Sequence, residues 1–216
     1  VSDVQVLHAK ALLIDNDGVL VDSLSSIRLA FLQWGALHGI DGAAVYRNYG
    51  GRRSQDIARV LFGAEAGPAA ALELDQLEID QAPLVRALPG AQELLASMGD
   101  NWTLVTSGPR TLARARLAAA GLPSPRILVS ADDVSAGKPS PESFLLAAEL
   151  NETQPDRCVA LEDSQFGVAA AVAAGCMTVT IGDRDLPGQI LRASSLTALW
   201  VTGSIGQYVV SVGVGG

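Results

Sequence analysis

The chain has 216 residues, 49% of them apolar, with a formal net charge of −8 and a pI near 4.7. That length accommodates one domain, or one domain carrying a smaller insertion, and the acidic balance lacks the basic face of a nucleic-acid binder. No apolar run free of charge reaches the roughly 18 residues of a membrane span, and the opening VSDVQVLHAK lacks the basic start and apolar block of a secretory signal, so the expectation is a cytoplasmic protein, a monomer or weak homodimer, without membrane or nucleic-acid partners.

Short apolar runs fall at 11–14, 102–105, 127–129, 159–161 and 178–181. The first is followed by Asp15, Asp17 and Gly18, then by Asp22 and Ser23. From there to Asn101 no strand pattern appears. Leu24, Ile27, Phe31 and Trp34 recur at helical spacing, and Gly39 stops that helix. Residues 54–61 carry Ile57, Val60 and Leu61, and residues 68–85 are rich in Ala, Leu and Glu. The spacing therefore predicts a helical insertion over 24–87, hinged near Asp22-Ser23 and Leu88-Pro89, between core segments 1–23 and 88–216. Beyond it, Ala91, Leu94, Leu95 and Met98 share one helical face.

The run at 102–105 leads to Thr106 and Ser107 and to a helix over 111–120 stopped by Gly121. The run at 127–129 leads to Lys138 and a helix over 141–150. The run at 159–161 leads to Glu162 and Asp163 and a helix over 165–174 that ends at Gly175. Runs alternating with helices predict an α/β fold, a central parallel sheet with helices on both faces. The Gly- and Val-rich stretch GQYVVSVGVGG after Ser204 fits a short strand and a mobile tail alike. Cys158 and Cys176 sit in apolar surroundings without CxxC spacing and read as buried free thiols.

In an open parallel sheet, ligands bind beyond the carboxyl ends of the strands. There the sequence puts Asp15 and Asp17, then Thr106 and Ser107, then Lys138, then Glu162 and Asp163. Each piece has a plainer reading. Asp-x-Asp fits a turn bonded to backbone amides, Thr106, Ser107 and Asp163-Ser164 fit helix caps, and Lys138 fits a solvated loop. Four such pieces at successive strand ends point instead to one site. The acids suit Mg²⁺, a hard cation that shares its shell with water and phosphate, and the lysine and hydroxyls suit phosphate oxygens.

These residues also carry a resemblance. DNDGVLVDS resembles the DxDGxxxDS signature of the haloacid dehalogenase superfamily, and VTSG, GKPSPESF and ALEDSQFGVAAAVAAG resemble its second, third and fourth motifs. The resemblance implies a Rossmann-like core with an inserted helical cap, and a phosphomonoester hydrolase working through an aspartyl phosphate. It makes Asp15 the nucleophile and Asp17 the acid and base. Mg²⁺ would be held by Asp15, the Asp17 backbone carbonyl, Asp163 and, directly or through water, Glu162. Lys138 and Thr106 would act on the phosphoryl group, with the Ser107 N–H binding its oxygens. Asn16 departs from the apolar or aromatic residue many members carry, and is expected to point away from the acids.

The cap stretch YGGRRSQDI, residues 49–57, is similar to the G-x-R-[TS]-x-D segment of glycerol- and sugar-phosphate phosphatases, with Arg53, Ser54 and Asp56 at the motif positions. On that resemblance Arg53 or Arg52 binds substrate, and the substrate is a small phosphorylated sugar or polyol. Two alternatives stay open: a β-phosphoglucomutase-like mutase and a phosphoglycolate-type phosphatase. The mutase carries a histidine five residues past the last aspartate of its first motif, and here that residue is Ile27, while His38 is read as solvated. A two-component receiver would lack both the single-strand Asp-x-Asp and the cap.

Overall fold

The computed structural model describes residues 4–204 and 206–213. In chain order its elements are β1 (Val4–Ala9), β2 (Ala11–Ile14), β3 (Val21–Asp22), α1 (Leu24–His38), α2 (Gly42–Tyr49), α3 (Ser54–Gln81), β4 (Arg86–Ala87), α4 (Ala91–Met98) and β5 (Thr103–Val105). There follow α5 (Arg110–Ala119), β6 (Ile127–Val129), α6 (Glu142–Leu150), β7 (Cys158–Glu162), α7 (Gln165–Ala174), β8 (Met177–Ile181), β9 (Leu191–Ala193), β10 (Leu199–Ser204) and β11 (Gln207–Gly213).

Six strands form a parallel sheet in the order β6-β5-β2-β7-β8-β9. Its central strands are buried on both faces, which is why they read as continuous apolar runs rather than alternating ones. Side chains still alternate along each strand. Leu12, Ile14, Val159 and Leu161 pack with α4 and α5 on one face. Ala11, Leu13, Cys158 and Ala160 pack with α6 and α7 on the other, where Ala147, Ala148, Ala170 and Ala171 let helix and sheet approach closely. Cys158 and Cys176 lie in this second layer as buried free thiols, and burial pushes both up to about 12.

A second, antiparallel sheet, β1-β11-β10, covers the first face and was not legible as such. The stretch left open in the sequence is thus a strand as far as Gly213; residues 214–216 lie outside the described residues. Leu199, Val201, Tyr208, Val210 and Val212 bury one side of this sheet against the core, and Tyr208 donates its hydroxyl to the Asn101 carbonyl at 2.7 Å.

Helices α1 to α3 form the insertion and carry their own apolar cluster around Phe31, Trp34, Ile57 and Leu74. Trp34 is fully buried, donates Nε1–H to the Ala70 carbonyl at 2.9 Å and meets Phe62 edge-on at 5.4 Å. Gly63, at φ 76°, breaks α3 into two legs; the second passes through Pro68, where the sequence pattern starts its second helical stretch, and ends at Gln81 rather than at 85. One correction falls at the hinges: β3 and β4 pair antiparallel, Val21 with Ala87 and Asp22 with Arg86. A two-residue ribbon leaves no periodicity to read, so the sequence shows no strand before Asn101.

Candidate active site

From β2 the chain passes to β5 and β6 on one side, then crosses to β7 and β8 on the other. That reversal opens a crevice at the carboxyl end of β2, and Asp15 and Asp17 stand in it. Lys138, 3% exposed, donates from Nζ to Asp15 Oδ1 at 2.6 Å, to Glu162 Oε1 at 2.5 Å and to the Val105 carbonyl at 3.1 Å. An ammonium has three protons, and these three bonds use them all. Burial disfavours the charged lysine, but Asp15 and Glu162 outweigh it and hold its pKa above the usual value. Burial and then Glu162 push Asp15 well above the usual carboxylate range, against the pull of Lys138.

Two glycines make room for the acids. A Cβ on Gly18, which sits at φ +80°, would fall 2.0 Å from Asp163 Oδ2. A Cβ on Gly167 would fall 2.0 Å from Glu162 Oε2, so the first turn of α7 rests directly on that carboxylate. Ser164 caps α7 by accepting from the Gly167 amide at 3.0 Å and donates to Glu162 Oε2 at 3.2 Å. Burial and Glu162 raise Asp163 to about 7.

One oxygen each from Asp15, Glu162 and Asp163 lie within 4.8 Å of one another. Opposed oxygens around Mg²⁺ stand about 4.2 Å apart at a 2.1 Å bond. The trio therefore fits a small hard cation in donor type and nearly in spacing, and a cation there would relieve the mutual repulsion that raises Asp15 and Asp163. The Asp17 side chain stands outside this trio. Its Oδ1 accepts from Ser23 Oγ at 2.6 Å and pairs with Arg116 Nη1 at 2.9 Å. Asn16, expected to point away, is buried with Nδ2 turned back to 3.4 Å from the same oxygen.

A cavity of about 410 Å³ lies above these groups, and its other wall is the insertion, with Tyr46, Arg52, Ser54, Asp75 and Glu78. Ser54 donates to Asp75 Oδ1 at 2.6 Å. Arg116 Nη2 donates to Glu78 Oε2 at 2.7 Å. Burial raises Glu78 to about 7 although Arg116 pulls it down, and burial raises Asp75 against the Ser54 bond.

The two arginines of the cap stretch part company. Arg52 reaches the cavity, its guanidinium over the rings of Tyr49 at 5.8 Å and Phe166 at 5.6 Å. Arg53 does not. It is buried, paired in a fork with Asp56 at 2.8 and 2.9 Å, and donates to the Val134 and Ser135 carbonyls at 2.7 and 2.8 Å. The next glycine in the lysine loop makes this possible, since a Cβ on Gly137 would fall 2.5 Å from Arg53 Nε. Arg53 thus fastens the insertion to the core. Ser107 helps, donating Oγ–H to the Gly51 carbonyl at 2.8 Å.

Residues 9–175 match a sequence model described as that of a haloacid dehalogenase-like hydrolase. The chain belongs to this family. Over 181 residues it is 36% identical to hexitol phosphatase A of Escherichia coli (strain K12), a match spanning 81% of this chain and 84% of that protein. A hydrolase from Pseudomonas syringae superposes with a TM-score of 0.77 at 25% identity, over 86% of this chain and 93% of that one. β-Phosphoglucomutase from Clostridium difficile superposes with a TM-score of 0.76 at 22% identity, over 87% and 92%, and speaks for the fold alone. The protein is an enzyme, a phosphatase of the haloacid dehalogenase-like family. Among the described residues no helix is long and apolar enough to cross a membrane.

Of the residues this haloacid dehalogenase-like hydrolase was expected to use, Asp15, Asp17, Ser107, Lys138, Asp163 and Arg52 line the cavity. Glu162 lies beneath it. Thr106 is buried at its edge, with Oγ1 accepting from the Gly108 amide at 3.1 Å and its own proton left to donate. His38 sits away from the cavity against Trp34 and Phe62 and pairs with Glu73 at 2.7 Å. Arg116, Asp75 and Glu78 escaped the sequence reading. For Arg116 a signal existed: it shares the inward face of α5 with Leu112, Ala113 and Leu117, and a charge on an apolar helical face needs a buried partner.

Proposed function

We propose that the protein is a divalent-metal-dependent phosphomonoesterase acting on a small phosphorylated polyol or sugar through an aspartyl phosphate. The observation that carries this reading is the convergence of Asp15, Asp17, Lys138 and Asp163 on one cavity closed over by a helical insertion. The 36% identity to hexitol phosphatase A supports the substrate class.

Lys138 holds Asp15 by Oδ1, which leaves Oδ2 to attack phosphorus. As the Asp15–phosphorus bond forms and the ester bond breaks, Asp17 gives its proton to the departing alkoxide. Asp17 then takes a proton from the water that attacks the phospho-aspartate, releasing inorganic phosphate and restoring Asp15. The Thr106 hydroxyl and the Ser107 N–H would bind the transferring oxygens. Mg²⁺, held by Asp15, Asp163, the Asp17 carbonyl and Glu162 directly or through water, would supply positive charge against the phosphate oxygens. Asp75, Glu78 and Ser54 offer acceptors and a hydroxyl to a substrate rich in hydroxyls.

Ile27 lines the cavity at the position where the mutase carries histidine. An apolar side chain there can neither take nor deliver a proton, which favours transfer to water over transfer to a second sugar hydroxyl. The test is phosphate release from polyol, sugar and glycolate phosphates, with Mg²⁺ and with chelator, alongside Asp15→Asn. Metal-dependent release from one polyol or sugar phosphate, absent in the variant, is the expected result. Interconversion of hexose 1- and 6-phosphates without release would overturn it.

A further inference from the structure

The side-chain hydrogen bonds of Asp17 and its recorded ion-pair contact fall on one of its two oxygens. Ser23 Oγ at 2.6 Å, Arg116 Nη1 at 2.9 Å and Asn16 Nδ2 at 3.4 Å all meet Oδ1, which leaves Oδ2 for the substrate. Arg116 comes from the core helix α5, and its side chain is only 2% exposed. Its second terminal nitrogen is held by Glu78 of the insertion at 2.7 Å, while its Nε has no partner among the described residues. The guanidinium is therefore divided between a core carboxylate and an insertion carboxylate, one nitrogen to each.

A guanidinium prefers to grip one carboxylate with two parallel N–H bonds. Glu78 prevents that grip on Asp17 by drawing Nη2 away. If the insertion lifts, Glu78 leaves with it, and Arg116 is free to close on both oxygens of Asp17. We infer that Arg116 is a positioning residue that couples the seating of Glu78 to the availability of Asp17 Oδ2, so that the acid is presented only while the insertion covers the substrate. The inference rests on the reading of Asp17 as the acid. A plain structural ion pair, by contrast, would fasten the two parts without touching proton delivery.

The two roles separate by leaving group. A polyol alkoxide needs a proton as it departs, whereas the acetate of acetyl phosphate does not. Arg116→Gln, Arg116→Lys, Glu78→Gln and the Arg116→Gln/Glu78→Gln double variant are assayed on both the best ester of the panel and acetyl phosphate, with melting temperatures recorded. Arg116→Lys keeps the charge without the fork, and serves if Arg116→Gln does not fold. Each single variant is expected to lower kcat/KM, which reports the steps up to departure of the leaving group, roughly 10- to 100-fold on the polyol or sugar phosphate, at or below the low end of a general acid's contribution, and under about 3-fold on acetyl phosphate. Hydrolysis of the phospho-aspartate, where Asp17 acts as base, is common to both substrates and enters kcat alone. The double variant is expected to be no worse than Arg116→Gln alone, because both act through Asp17.

Equal losses of kcat/KM on both substrates, no loss on either, or fully multiplicative losses in the double variant would overturn the inference. Asp17→Asn run in parallel keeps the two readings apart. If Asp17→Asn leaves the polyol or sugar ester turning over, the role of Asp17 fails and takes this inference with it. If Asp17→Asn collapses turnover while the Arg116 and Glu78 variants do not, only the coupling fails. Should acetyl phosphate not be turned over, p-nitrophenyl phosphate, whose phenolate also departs without needing a proton, takes its place in the comparison.

Discussion

The core wall of the cavity holds its acids at strand ends, whereas the insertion wall holds its acids along a single helix, α3. At the strand ends backbone direction fixes each group, and glycines at 18 and 167 let Asp163 and Glu162 come within contact of the backbone. On α3, Asp75 and Glu78 are held by side chains alone, one by Ser54 and one by Arg116. The first arrangement suits a reaction that is the same for every phosphate ester. The second can be altered one residue at a time, which suits choice among substrates. On this view the core wall should govern kcat and the insertion wall KM, with Arg116 and Glu78 as the point where the two meet.

The sharpest contrast is Asp15→Asn, expected to reduce turnover to background with the fold intact, measured as phosphate release and melting temperature. Lys138→Met strikes the same wall through stability. It strands Asp15 and Glu162 as unpaired buried carboxylates, and loss of one partner of a buried pair costs about 3–5 kcal/mol. Denaturant unfolding should show a loss of that order, along with lost activity. If either change left kcat intact, the division between the walls would fall.

A pH series separates the walls without reference to substrate. Asp163 and Glu78 each rest at about 7 in the metal-free fold, above the usual carboxylate value. Between about pH 4 and 7 the folded protein therefore holds protons that the unfolded chain has lost, and stability falls as pH rises through that window. A divalent cation favours ionised Asp163, so the rise in melting temperature on adding Mg²⁺ should be larger at pH 8 than at pH 5.5. Asp163→Asn should abolish that Mg²⁺ response, while Glu78→Gln should flatten the pH slope and keep it. The smallest expected effect lies on the insertion wall: Asp75→Asn and Ser54→Ala should each raise KM by up to about 10-fold, the worth of one hydrogen bond, with kcat little changed. A large fall in kcat instead would move Asp75 into the chemistry.

The same contrast explains what could be read in advance. Asp15, Asp17, Glu162 and Asp163 follow apolar runs directly, and Lys138 lies in the loop after another, so local sequence and the rule for parallel sheets were enough to bring them together. All five apolar runs match strands, β2, β5, β6, β7 and β8, to within a residue at either end. Asp75, Glu78 and Arg116 depend on how α3 docks against α5, a long-range fact with no local mark except the charge on the inward face of α5. Arg53 shows the converse. Its motif position and charge suggested a substrate contact, but its guanidinium is occupied by Asp56 and the Ala131, Val134 and Ser135 carbonyls. The antiparallel sheet was missed because β1 and β11 lie at opposite ends of the described chain, and β1 is exposed along most of its length, with no clean alternation.

The seam between insertion and core has a further consequence. It is closed by Arg53 on two carbonyls, by Ser107 on the Gly51 carbonyl and by Arg116 on Glu78. Water can take over each of those bonds when the seam parts. Each turnover must admit an ester and release phosphate, so the two halves part and rejoin many times in the life of one molecule. Because these bonds join guanidinium, carbonyl, carboxylate and hydroxyl groups, the groups they bare on parting stay wetted.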